Sequence, residues 1–168
     1  SSVERALIVA PRGRDSAIAA GILADAGLEA CVCPSLDGLV AELAAGAGVA
    51  IVVEEVLHEA AYPRLVQWID AQPPWSDLPV VVLASRGAAL ERNPVAQRLA
   101  QALGNVSFVE RPFHPTTLAS VVQAALRGRR RQYEARERLE TIREAEEPLE
   151  QRVAERTAEL ESANRQLA

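Results

Sequence analysis

The side chains able to do acid–base, nucleophilic or metal chemistry in this chain are few, and most of them follow short apolar runs. Glu54 and Glu55 come directly after Val49–Val53, Ser85 follows a run ending at Ala84, Pro11 and Arg12 follow a run ending at Ala10, and Arg111 lies in FVERPFHP. No nucleophile stands beside a base, and no His, Cys, Asp and Glu group has the spacing of a metal site. Cys31 and Cys33 are two residues apart in a strand-like stretch, so both thiols share one face, far in sequence from the only histidines, His58 and His114. They read as buried thiols. Gly13 and Gly87 suggest a phosphate-cradling loop at first sight, yet APRGRDS fits neither a P-loop nor a dinucleotide fingerprint. Asp15 reads as a helix cap rather than a displaced metal ligand.

The elements that position these residues follow from periodicity. Val- and Ile-rich runs alternate with helical patterns up to about residue 127, the pattern of successive βα units around a parallel sheet. Five strands are expected, over 6–10, 29–33, 49–53, 79–84 and 106–109, with helices beginning near Asp15, Leu36, Ala61, Asn93 and Pro115. The fourth helix carries the clearest signals: Asn93 as cap, Pro94 at the first position and Gly104 just past the end. A rigid loop over 72–77 brings Pro73, Pro74 and Trp75 into the fourth strand. Right-handed crossovers make this a three-layer α/β sandwich, and in such sheets ligands collect beyond the carboxyl ends of the strands. Ala10 to Arg12, Glu54 and Glu55, Ala84 to Arg86 and Glu110 to Pro112 all belong to that edge.

The chain has 168 residues, 49% of them apolar, and a formal charge of −5. That allows one domain of ordinary size plus an extended element. Residues 1–126 hold 8 Arg against 13 Asp and Glu, whereas the remainder holds 10 Arg and 10 Glu. An acidic globule with a sign-mixed tail argues against a nucleic acid or an anionic membrane as partner. Arg127, Arg129, Arg130 and Arg131 form a local basic cluster, which reads as a solvated helix face because Glu134, Glu137 and Glu140 follow within helical reach. No run of 18 apolar residues and no signal-peptide layout occurs, so a cytoplasmic location is expected.

In the last third, an apolar seam recurs every seven residues. With Leu139 at position a and Ile142 at d, it continues through Leu149, Val153, Leu160, Ala163 and Leu167, interrupted by Glu146 and Arg156. Followed backwards it passes through Ala135, Ala125, Val121 and Leu118, which places the last helix of the compact domain and the tail in one register. A lone helix with so few apolar contacts is marginal in water, so pairing with a second copy is expected. Pro148 removes a backbone donor and disfavours helix at Glu147. The helix therefore either kinks there or ends near Glu146 and restarts. Unbroken from Pro115 to Leu167 it would extend roughly 80 Å at about 1.5 Å per residue.

Over residues 3–127 the chain resembles the receiver domain of two-component signalling. Arg111, Pro112 and Phe113 in FVERPFHP occupy the place of that family's invariant Lys-Pro-Phe, and LPVVVLASR is similar to its fourth strand, which ends in Thr or Ser. The resemblance implies a five-stranded parallel sheet in the flavodoxin-like order 2-1-3-4-5. It also implies a site: working receivers transfer a phosphoryl group to an aspartate after strand three, with magnesium held by an acidic pair after strand one. By that correspondence Ala10, Pro11 and Arg12 stand at the acidic positions, Glu54 at the phosphoacceptor, Ala84 at the hydroxyl with Ser85 beside it, and Arg111 at the lysine. A hard cation loses its carboxylates and meets an arginine, so magnesium binding is expected to be very weak or absent. Glu is one methylene longer than Asp and is not placed for in-line transfer, so phosphoryl chemistry is expected to be lost. A fixed Glu54–Arg111 ion pair would then substitute for the phosphoaspartate–lysine contact, the alternative being two unpaired residues on a solvated rim.

The stretch PLEQRVAERTAELESANRQL, Pro148 to Leu167, resembles the signalling helix that precedes sensory or dimerisation domains in bacterial sensor histidine kinases. These resemblances together imply a receiver-like domain over 3–127 and a coiled-coil helix over 128–168, forming a non-catalytic, dimerising regulatory module. A kinase core or sensory domain would lie elsewhere in the same protein, and no cofactor or metal is called for. A phosphorylatable receiver using Glu54 or Glu55 is one alternative. The other is a scaffold that docks a protein around Trp75 and the fifth strand.

Overall fold

The computed structural model describes residues 4–86 and 93–168. The chain divides into two units, Ser1–Gln132 and Tyr133–Ala168. Gly87 lies outside the described residues.

The first unit is a five-stranded, all-parallel sheet in the order β2-β1-β3-β4-β5, the flavodoxin-like receiver fold. Its strands are β1 (Ala6–Val9), β2 (Ala30–Val32), β3 (Val49–Val53), β4 (Val80–Ala84) and β5 (Val106–Glu110). Between them run α1 (Asp15–Asp25), α2 (Leu36–Leu43), α3 (Tyr62–Asp70) and α4 (Pro94–Leu103), and α5 (Pro115–Leu167) follows β5. A short 3₁₀ helix, Glu54–His58, intervenes after β3. The three central strands read as unbroken apolar runs because helices cover both faces of a parallel sheet. Every residue of β1, β3 and β4 is buried. The local signals act as their chemistry requires: Asn93 Oδ1 accepts from the Val95 N–H at 2.9 Å, Ser35 Oγ accepts from the Gly38 N–H at 3.1 Å, and Gly104 takes φ 69°.

Three expectations are corrected. Asp15 is the first residue of α1, after Arg14, and makes no capping bond; its carboxylate is turned to the site described below. Leu118 does not belong to a pairing seam. It is fully buried, and the face of α5 turned to the core is Leu118, Val122, Leu126 and Arg129, while Val121 and Ala125 flank it half-buried. The spacing of four, four and three is that of a helix laid on a sheet, and it differs from the heptad drawn backwards from the tail.

Arg129 is not on a solvated face. It is 4% exposed, with Nε donating to the Ala47 carbonyl at 3.3 Å, Nη1 to Ser76 Oγ at 2.8 Å and to Gln132 Oε1 at 2.7 Å. Its guanidinium lies 5.7 Å from the centre of the Trp75 ring, a cation–π contact. Gln132 adds two bonds to the backbone of Asp77, and Arg130 pairs with Glu4 at 2.6 Å. These contacts belong to the first unit, which extends through Gln132. Of the readings open at Pro148, an end and restart at Glu146 is not what forms: α5 includes Pro148 within one helix.

In the second unit residues 134–168 are all exposed. Leu139, Ile142, Leu149, Val153, Leu160 and Leu167 present large apolar side chains that are 53% to 87% exposed. No described helix is long and apolar enough to cross a membrane.

Candidate functional site

The carboxyl edge of the sheet gathers residues that are far apart in sequence. β1 delivers Ala10, 3% exposed, followed by Pro11 and Arg12 at the surface. β3 delivers Glu54 and Glu55 into the 3₁₀ helix, where successive side chains diverge by about a third of a turn. β4 ends in Ala84, buried, with Ser85 exposed beyond it, and β5 leads to Arg111.

Arg111 is the hub. Nη2 donates to Glu55 Oε1 at 2.5 Å and to Ser85 Oγ at 3.4 Å, Nη1 donates to Asp15 Oδ2 at 3.1 Å, and Nε donates to the Ala84 carbonyl at 3.3 Å. The same carbonyl accepts the Arg111 backbone N–H at 2.9 Å. One planar guanidinium thus ties together the start of α1, the end of β3, the end of β4 and the loop after β5, a use of its fork that an ammonium could not match.

The expected Glu54–Arg111 pair is not formed. Glu54 Oε2 instead accepts the Ser85 N–H at 2.9 Å, bridging β3 to β4, and Glu55 takes the arginine. Sequence reasoning leaves open whether Glu54 pairs with Arg111 or stands unpaired, because one residue of rotation in the 3₁₀ helix decides which carboxylate faces β5. It also missed Asp15, which is 96 positions from its partner. Its position in the first turn of α1 carried a cap signal that outweighed any hint of a contact with β5.

The electrostatics follow the geometry. Burial acts to raise the Glu55 carboxyl, but the hydrogen bond from Arg111, a backbone hydrogen bond, and the charges of Arg111 and Arg12 outweigh it and hold the group below the usual carboxylate range. Burial likewise acts against the charged form of Arg111, and Glu55 and Asp15 more than offset it, so the guanidinium is held above its ordinary value. Cys31 lies within β2 and Cys33 directly follows it. Cys33 is buried and Cys31 half-buried, and burial, with the neighbouring Cys31 and Glu42, pushes the Cys33 thiol up to about 11.

A magnesium ion of the kind receivers hold does not fit these residues. Such an ion needs several free carboxylate or carbonyl oxygens. Ala10 and Pro11 supply no side-chain oxygen, Arg12 brings a positive charge, and the carboxylates of Asp15 and Glu55 are taken by Arg111. Among the described residues no group of three or more His, Cys, Asp or Glu side chains could hold a metal ion.

No family model and no curated protein sequence matches the chain. Solved structures do. NtrX from Brucella abortus, in complex with ADP, superposes with a TM-score of 0.63 at 21% identity over 80% of this chain and 29% of its own. A structure described as adenylate cyclase from Rhodopirellula baltica gives 0.65 at 15% identity over 82% and 98%. The chemotaxis protein CheY4 from Vibrio cholerae gives 0.59 at 19% identity over 74% and 99%. The chain therefore spans under a third of NtrX and nearly the whole length of the other two. At these identities the likeness establishes the receiver fold.

Proposed function

We propose that the chain is a non-catalytic regulatory and dimerisation module of a two-component sensor histidine kinase, working in the cytoplasm. A pseudo-receiver passes conformational change through a coiled coil to a kinase core or sensory domain elsewhere in the same protein. The observation that carries the reading is the apolar face of the second unit: large side chains at heptad spacing, all more than half exposed, and thus unable to stabilise a helix without a partner. A second copy supplies the same face, through Leu139, Ile142, Leu149, Val153, Leu160, Ala163 and Leu167. The receiver-like domain supports a regulatory rather than phosphotransfer role, because its hub holds Arg111 by internal carboxylates and leaves no set of ligands for magnesium among the described residues.

The test is molar mass in solution by light scattering, for the full chain and for a version ending at Gln132, where the compact unit closes. A dimer that becomes a monomer on truncation is expected. A full chain that stays monomeric at tens of micromolar would refute pairing through the tail. Incubation with magnesium and a small phosphodonor, followed by intact mass, separates the phosphorylatable alternative: no added phosphoryl group is expected on Glu54 or Glu55.

A further inference from the structure

A cavity of about 380 Å³ opens at the carboxyl edge of the sheet, lined by Pro11, Arg12, Val53, Glu55, Val56, His58, Glu59 and Arg111. Its size is that of small-molecule sites, and its place, beyond the ends of β1 and β3, is where open α/β sheets collect ligands. Its charged lining divides into two sets. Arg111 and Glu55 are committed to each other, and Arg111 also to Asp15. Arg12 and Glu59 are exposed, and neither side chain has a hydrogen-bond or ion-pair partner among the described residues, although the charge of Arg12 also acts on Glu55. The rest of the lining is His58, exposed, and an apolar wall of Pro11 at the rim with Val53 and Val56 buried behind it.

A bare anion would meet Arg12 but also the carboxylates of Glu55 and Glu59. A bare cation would meet Glu59 but also Arg12. A molecule with both charges and an apolar body matches Arg12, Glu59 and the apolar wall together, and a carboxylate on a guanidinium is among the strongest polar contacts available. We propose that this cavity binds a small zwitterion of the amino-acid type, with its carboxylate on Arg12, its ammonium on Glu59 and its apolar body against Pro11, Val53 and Val56. The substitution of arginine after β1, which spoils the edge for magnesium, is what creates the carboxylate anchor. If the chain is a regulatory module as proposed above, this ligand is an input to it.

The test is an NMR titration of the full chain with L-leucine and L-phenylalanine, set beside isovalerate, which lacks the ammonium, isoamylamine, which lacks the carboxylate, and sodium chloride at matched ionic strength. Saturable shifts at residues 11–12 and 53–59 are expected with one or both amino acids, and at least ten-fold weaker binding of isovalerate and isoamylamine. Each charged hydrogen bond removed is worth about that factor or more. R12Q and E59Q are both surface changes; each should weaken amino-acid binding at least ten-fold, and R12Q should abolish the preference over isoamylamine. Equal binding of isovalerate or of isoamylamine, unchanged affinity in R12Q, or shifts that only follow ionic strength would each overturn the proposal. Light scattering of the same samples reports pairing of the tail independently, so a failed ligand titration and a failed dimer are told apart.

Discussion

Replacing Arg111 with alanine tests the hub directly. The pair with Glu55, half exposed at 50%, is worth a few tenths to about 1 kcal/mol after solvent screening. The pair with Asp15, 32% exposed, and the hydrogen bond to the Ala84 carbonyl contribute about 1 kcal/mol each at most. The loss should total about 2 kcal/mol, or roughly 6 °C in Tm for a unit of this size. Trp68 and Trp75 both lie in the compact unit, so urea unfolding followed by tryptophan fluorescence reads that unit alone. The discriminating measurement is a set of double-mutant cycles pairing R111A with D15N, E55Q and E54Q. Coupling should be about 1 kcal/mol for Asp15, about 0.5 kcal/mol for Glu55 and within about 0.3 kcal/mol of zero for Glu54. A coupling to Glu54 as large as that to Asp15 would refute the assignment of partners, and a Tm unchanged in R111A would refute the hub.

The depressed Glu55 carboxyl gives a pH dependence: its contribution is fully present above the ordinary carboxylate pKa of about 4.3 and is lost as pH falls through the lower folded value. Acid unfolding of R111A should therefore be less steep below about pH 4 than that of the unaltered chain. Cys33, raised to about 11 by burial, should resist alkylation at pH 8 in the folded protein while Cys31 reacts; mass mapping that finds Cys33 modified first would contradict its burial. Leu118→Ala should destabilise the compact unit by about 3 kcal/mol, whereas Leu139→Ala should leave its unfolding midpoint unchanged, since one side chain fills the core and the other is 60% exposed. Pro148→Ala restores a helical donor and should raise helicity by circular dichroism and stabilise the tail by up to about 3 kcal/mol.

Much of the fold was legible in the sequence because the signals were local or periodic. β1, β3 and β4 appear as uninterrupted apolar runs because both faces of a parallel sheet are covered, and α4 is delimited by Asn93, Pro94 and Gly104, each acting through its own backbone chemistry. The tail seam is legible for the same reason, since a period of seven survives without any knowledge of what faces it. Ambiguity began where two periods coexist. In α5 the residues Val121, Val122, Ala125 and Leu126 are all apolar, so a heptad through Val121 and Ala125 and a core face through Val122 and Leu126 are equally written; the sheet surface selects the second.

The site belongs to the tertiary structure still more fully. Which of two adjacent carboxylates meets Arg111 depends on the turn of a 3₁₀ helix, and the second partner, Asp15, is 96 positions away in the sequence. Arg129 shows the same limit. Among the arginines at 127, 129, 130 and 131 nothing distinguishes it by type, and it is buried because the helix brings it under Trp75 and against the carbonyl of Ala47. A guanidinium is long and multidentate, so its partners are set by where the backbone brings distant segments together. Spacing along the chain determines the elements that carry such side chains, and their packing determines which charges meet.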